Sequence, residues 1–391
     1  MLRSLYSGIS GLRAEQTMLD VTSNNIANVN TVGFKSSTVQ FEDALSQMVS
    51  AAGLATSAKA GTNPNQVGLG VRVAGVTTNL TQGSQTTTGN NLDALISGDG
   101  YFVTTAGSQT LYTRNGSFHW DSEGRLSTAD GSLVQGWPAV NGSVATGSKP
   151  TTLTLPSGTV APAKATTTAS LTGNLPSDAV AGTTFDRDIT VFAADGTPRQ
   201  LTASFTAGAA GAWNYAIDDH NGGTATGALG TGGAAVTGTT TATVGGIAID
   251  LSKLSGFAGL STTAFATQDG NAAGTLLSVA MGGDGTLTGT FSNGATVAIA
   301  RLAIGTFTNP EGLAKAGNSS LTQTLNSGGV RLGTAGADGY GSVVSGALEA
   351  SNVDLSQEFT NLIVAQRGFQ ANARIITTSD EILQELTQLK R

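Results

Sequence analysis

Residues 2–26, LRSLYSGISGLRAEQTMLDVTSNNI, and residues 355–383, LSQEFTNLIVAQRGFQANARIITTSDEIL, decide how this chain folds. Leu5, Leu12, Leu19 and Ile26 recur every seven residues, with Leu2 and Ile9 beside them, and Leu355, Leu362, Phe369, Ile376 and Leu383 repeat the spacing near the other end. That period writes an apolar row along one face of a helix. An isolated helix is marginal in water and gains most of its stability by packing that face, so each end needs a partner. A helix from Ser356 to Arg391 would run roughly 54 Å at about 1.5 Å per residue, too long to sit wholly inside a compact core. Two arrangements answer the need: a two-helix hairpin that closes the domain where the termini meet, or a pair that also packs on neighbouring copies.

Working inward, all eight prolines fall between Pro64 and Pro310, which leaves both ends free of the strongest helix breaker. Asp354-Leu355-Ser356-Gln357 is a helix start, with a carboxylate placed to cap. Gly368, inside the second row, costs about 1 kcal/mol relative to Ala and suggests a close approach of another backbone. From Gly68 to about Gly142 short strands alternate with Asp99-Gly100, Asn115-Gly116 and Asp130-Gly131, where hairpins would turn, and Tyr101, Phe102, Tyr112, Phe118 and Trp120 supply core. From Ser143 to Gly283 the texture is rich in Thr, Ala and Gly and poor in aromatics, which predicts a modest core; Asp188–Ala193 and Gln200–Thr206 pair across Asp195-Gly196.

The fold class expected is therefore multidomain α+β, with paired, coiled-coil-like N- and C-terminal helices and nested antiparallel β domains, barrel- or sandwich-like, between them. The expected division is 1–30 plus 356–391 for the helical domain and 31–70 for an extended connecting region. An inner β domain takes 71–145 plus 284–355, and an inserted outer β domain takes 146–283.

Composition excludes several classes of function. A net charge of −7 with 12% charged residues gives neither a nucleic-acid-binding stripe nor a membrane-seeking basic face. No cysteine is present, so disulfides and thiolate metal sites are out. Arg3, Arg13, Glu15 and Asp20 interrupt the start, so no continuous apolar secretory segment is expected there, and no run approaches the ~20 apolar residues of a membrane span. Of the two histidines, His119 lies in an aromatic strand and His220 follows Asp218-Asp219 and precedes Asn221-Gly222-Gly223, which favours an exposed turn over a cation site. Gly282-Gly283-Asp284-Gly285 is a single copy without the nine-residue recurrence of calcium-binding repeats, and a hairpin turn explains it. No phosphate loop, nucleophile elbow or dinucleotide fingerprint occurs; no enzyme activity, catalytic residue, metal or cofactor is expected.

The strongest local signal follows the first helix: Ser23-Asn24-Asn25-Ile26-Ala27-Asn28-Val29-Asn30-Thr31-Val32-Gly33-Phe34-Lys35. Asn residues here can satisfy helix-end carbonyls or adopt left-handed conformations before a turn at Gly33. Such a density of donors and acceptors also suits contacts to other chains.

On these residues the chain resembles the bacterial flagellar axial proteins, the rod and hook family. The motif Asn24, Asn25, Ala27, Asn28, Asn30, Thr31, Gly33, Phe34 and Lys35 is complete. Gln66–Val71, Gly98–Phe102, Tyr112–Phe118, Ser351–Leu355 and Val364–Ala373, with Gln366 and Arg367, also match. Several members share these ends; the roughly 140 residues between Gly142 and Asp284, with Asn174-Leu175-Pro176 and Ile189–Gly196, resemble the outer domain of the hook branch more than the shorter distal rod design. The 36–65 region is longer than in short members of that branch.

The resemblance implies a helical homopolymer: a short curved tube that encloses the export channel and acts as a universal joint carrying torque from rod to filament. Terminal helices would line the core and β domains would face outward. It also implies export without a cleaved signal to an extracellular position on the flagellum. The implied partners are copies of the chain, the distal rod protein, the cap protein, the hook–filament junction proteins and the export apparatus; no nucleic acid and no membrane insertion are implied. A distal rod driveshaft, a secreted β-rich adhesin and a polysaccharide hydrolase are the alternatives, the last lacking any carboxylate pair that sequence spacing can place.

Overall fold

A computed structural model describes residues 2–54, 60–140, 142–155, 158 and 160–388; the expected connecting-region residues 55–59 and the helix end at 389–391 lie outside these. The chain forms two compact units, one made of 1–155, 280–288 and 298–391, the other of 156–279 and 289–297.

In the first unit the heptad rows become helix α1, Leu2–Ala27, and helix α2, Leu355–Gln388. They pack antiparallel: Gly8 faces Asn372, Ile375 and Ile376, Gly11 faces Asn372, and Gly368 faces Glu15. Small residues make the contact line, with Ala14 4% and Ala365 0% exposed. A Cβ on Gly11 would come within 2.8 Å of the Asn372 side chain, so the axes approach where no larger residue fits. The pairing therefore differs from the expected coiled-coil-like seam. Leu5, Ile9, Leu12, Leu19 and Ile26 are half-buried beside the line, because leucines on it would hold the helices apart. Gly368 does mark a close approach, but to the Glu15 carboxylate, 2.6 Å from a built Cβ, and not to backbone. Asp354 caps α2, its Oδ1 accepting from the Ser356 and Gln357 amides at 2.8 and 3.3 Å.

The 31–70 stretch is not simply extended linker. Ser37–Asp43 pairs antiparallel with Val71–Thr78, and Ser46–Ser50 with Asn65–Gly68. Beyond it, Tyr101–Ala106 and Gln109–Thr113 form a hairpin, flanked by Leu133–Val140 on one side and Ser320–Thr322 on the other. The Gln85–Thr87 and Ala94–Ser97 strands take their partners from Ala347–Glu349 and Ser342–Ser345, so sequence from before α2 completes the sheets begun after α1. Of the predicted turns, Asp130-Gly131 is one, with Gly131 at φ 82°. Asn115-Gly116 is instead a close crossing: a Cβ on Gly116 would lie 1.8 Å from the Ala94 carbonyl oxygen. Phe102 and Phe118 meet edge to face at 5.0 Å, and Trp137 joins Tyr101 and Tyr112 in a neighbouring core cluster.

The second unit is two-layered. Thr184–Phe192, Pro198–Ala207, Ala212–Asp218, Thr224–Gly230 and Thr237–Gly238 form a five-stranded antiparallel meander, turning at Asp195-Gly196. The other sheet runs Thr241–Val244, Ile247–Ser255, Thr168–Asn174, Ala264–Gln268, and its central pair is parallel, a departure from the all-antiparallel expectation. Among the described residues neither sheet closes into a barrel. The core is larger than the composition suggested: Phe205, Trp213, Tyr215 and Ile217 pack with Leu171, Leu175, Ile249 and Leu251 in one continuous cluster. Alternation turns the few large residues inward together with Ala169, Ala203, Ala207 and Ala242, and leaves most of the Thr to the surface.

Candidate assembly site

The Asn-rich elbow after α1 is fastened to its own chain at Asn25, Asn28 and Gly33. Asn25, 1% exposed, donates from Nδ2 to the Ser37 carbonyl at 2.8 Å and to Glu358 Oε1 at 3.0 Å, while its Oδ1 accepts from the Ser37 amide at 3.0 Å. The end of α1 is thereby tied to the first turn of α2. Asn28 Nδ2 donates to the Asn24 carbonyl at 2.9 Å and its Oδ1 accepts from Thr31 Oγ1 at 3.0 Å, which closes the helix end locally. Gly33 then turns with φ 67° and donates its amide to the Glu349 carbonyl at 2.8 Å; a Cβ there would lie 2.8 Å from the Asn115 nitrogen. Only glycine meets both demands.

Two residues on, Lys35 enters a buried ionic cluster. Its Nζ lies 2.5 Å from Glu349 Oε1 and donates to the Thr81 carbonyl at 2.7 Å; Arg114 Nη1 lies 3.5 Å from Glu349 Oε2. The Glu349 side chain is 0% exposed, and Gly83 adds an amide at 2.9 Å. Arg114 also donates to the Ile96 and Gly98 carbonyls. Burial lowers the Lys35 pKa, the hydrogen bond and charge of Glu349 oppose that, and Arg114 adds to it. Buried clusters of this kind are costly to break at one member, because the others are left charged and unpaired. The Asn352 side chain, accepting from the Ser36 amide and donating to the Asn79 and Thr81 carbonyls, binds the same crossing. Phe34 is half-buried, with Lys315 Nζ 5.3 Å from its ring centroid.

The remaining motif positions face outward. Asn24, Ala27 and Asn30 are exposed, as are Gln366 and Arg367, whose side chains bond to nothing within the described chain. On α2, Leu355 and Phe369 are each 39% exposed, and Leu362, Ile376 and Leu383 half-buried. Further apolar positions escaped the heptad reading: Phe359 and Ile363 lie together on one side of α2 and Val364, Ile375 and Ile382 on another, and all are exposed, Ile363 and Val364 by 56%. The signal is in the spacing: Ile363 follows Phe359 by four, and Ile375 and Ile382 follow Val364 by eleven and then seven, intervals that a heptad count from Leu355 does not visit.

Among the described residues no group of three His, Asp or Glu is placed to hold a metal. Asp218-Asp219-His220 is a turn: the Asp219 carboxylate accepts from the Asn221 and Gly223 amides, which hold it below the usual carboxylate range, and His220 sits at φ 53°. His119 is exposed, within 3.3 Å of the Ser127 hydroxyl. Among the described residues no helix is long and apolar enough to cross a membrane.

Three family models match: a flagella basal body rod protein model over residues 5–35, a flagellar hook protein FlgE/F/G D1 domain model over 95–173, and a flagellar basal body rod FlgEFG protein C-terminal model over 344–389. The flagellar hook protein FlgE of Borreliella burgdorferi is 37% identical over 441 aligned residues, covering 100% of both chains. The flagellar hook protein FlgE of Escherichia coli K12 is 36% identical over 414, covering 98% of each. The flagellar basal-body rod protein FlgG of Bacillus subtilis is 35% identical over 392, again covering 100% of both.

Proposed function

This chain belongs to the flagellar hook and basal-body rod protein family, and from that premise we propose that it is the structural subunit of the hook. In this reading it self-assembles into a curved helical tube around the export channel and passes torque from rod to filament. The observation that carries self-assembly is the apolar surface of α2, where Phe359, Ile363, Val364, Ile375 and Ile382 stay exposed after α1 has packed. Such exposure is disfavoured in water at roughly 25 cal/mol per Å² of apolar surface, and copies of the same chain can cover it. In this reading the seam residues Leu5, Ile9, Leu12, Leu19, Ile26, Leu355, Leu362, Phe369, Ile376 and Leu383 serve the same packing. The end contacts go to the distal rod protein, the cap protein, the junction proteins and the export apparatus, and the site of action is the extracellular hook, reached without a cleaved signal.

The test is the double substitution Leu362→Asp and Phe369→Asp. It should abolish tube formation while the β units remain folded; tubes from the variant would place these residues in a single-chain core and refute the reading. A distal rod role is the second reading, favoured by the full-length match to the Bacillus subtilis rod protein. The two differ in where structures stop growing when the chain is missing.

A further inference from the structure

One cation beside the elbow has no counter-charge. Lys315 lines a cleft of about 920 Å³ that is also lined by Asn24, Thr31, Lys35, Arg114 and Asp130. Its Nζ donates to Ser37 Oγ at 2.8 Å and sits over the Phe34 ring, and no carboxylate of the described residues pairs with it. Burial depresses its pKa, and no neighbouring charge opposes that. Arg114, 8% exposed, stands in the same cleft with its Nε lacking an acceptor, 5.3 Å separating its guanidinium carbon from the Tyr101 ring centroid. The cleft's own carboxylates are engaged: Glu349, behind it, answers Lys35 and Arg114, and Asp130 accepts from the Thr128 and Ser132 hydroxyls.

We propose that this cleft is a socket for an exposed Asp or Glu side chain of a second copy of the chain, with Lys315 as its ion-pair partner. The inference rests on the self-assembly reading above. Charge complementarity selects the occupant, because the chain carries 26 acidic residues against 19 basic ones and a polymer presents that acidic surface to itself at high local concentration. The aromatic floor and the partly desolvated ammonium strengthen the pair relative to one formed in open water.

Tubes grown from a mixture of unlabelled and ¹⁵N-labelled chain, treated with a water-soluble carbodiimide, test it. The expected product is a mixed-isotope peptide joining Lys315 to an Asp or Glu of another copy, and Lys315→Gln should raise the critical concentration for tube growth by about 5-fold with the monomer's melting unchanged. Tubes in which Lys315 stays uncoupled or couples only within its own chain, together with normal growth of Lys315→Gln, overturn the socket alone. Lysine 315 found protected by free acetate, added as a probe anion, without any effect on growth also overturns it. A wild-type chain that forms no tube overturns the assembly reading and the socket with it.

Discussion

Replacing the buried Glu349 by Ala should strongly destabilise the first unit. The side chain is 0% exposed and answers Lys35 at 2.5 Å, Arg114 at 3.5 Å and the Gly83 amide at 2.9 Å. Its removal leaves two cations, 7% and 8% exposed, without a counter-charge. Breaking a buried ionic cluster at one member costs about 3–5 kcal/mol. For a unit of this size each 1 kcal/mol moves the melting midpoint by roughly 2–4 °C, so a fall of about 6–20 °C is expected. Differential scanning calorimetry of the unpolymerised chain would read it as a shift of one transition, with the second unit's transition unmoved. Removing all three charges together, Lys35→Met, Arg114→Met and Glu349→Leu, should recover much of the loss, since no unpaired ion remains. A Glu349→Ala variant that melts within a degree of the wild type, or a triple variant worse than the single one, would refute the argument that the unpaired charges are what costs.

Gly33→Ala should destabilise the elbow by at least ~1–2 kcal/mol from its left-handed φ alone, with the 2.8 Å approach to Asn115 adding to it; chemical denaturation reads the shift. Glu15 is held above its ordinary value of 4.5 by burial against α2, with Oε2 unpartnered. The folded carboxyl thus binds its proton more tightly than the unfolded one, so the helix pair should gain stability as pH falls from neutral through the raised value. Glu15→Gln should be more stable than wild type at pH 7 and lose that pH dependence in helical circular dichroism melts. Asp269, accepting from the Thr168 and Thr167 amides and the Thr167 hydroxyl, is held well below its ordinary value of 3.8. The stability it contributes is present above that value and declines as pH falls below it. Asp269→Asn should lower the second unit's melting at neutral pH, by about 1–3 kcal/mol for charge-assisted bonds, and bring the variant and wild type together in acid.

The helices were legible because a seven-residue apolar period is a local signal, and so was the Asp354 cap. The line on which α1 and α2 meet was not, since Gly8, Gly11 and Ala365 carry no periodic hydrophobicity and gain meaning only opposite Asn372, Glu15 and one another. The elbow was legible as a helix end closed by Asn and turned at Gly33; that Asn25 and Lys35 turn inward was not, because Glu358 and Glu349 wait more than three hundred positions away and no local spacing reports such a pairing. Thin composition concealed the second unit's core, where alternation directs Phe205, Trp213 and Tyr215 to one face. Lys315 belongs to no motif; only its place in the cleft singles it out.

Electron microscopy of basal structures isolated from cells lacking this chain tests the central claim most directly. The account predicts complete rods that end bare at the cell surface with no curved tube, restored when the chain is supplied again. Structures that stop short of the distal rod, or flagella of normal form, would contradict it.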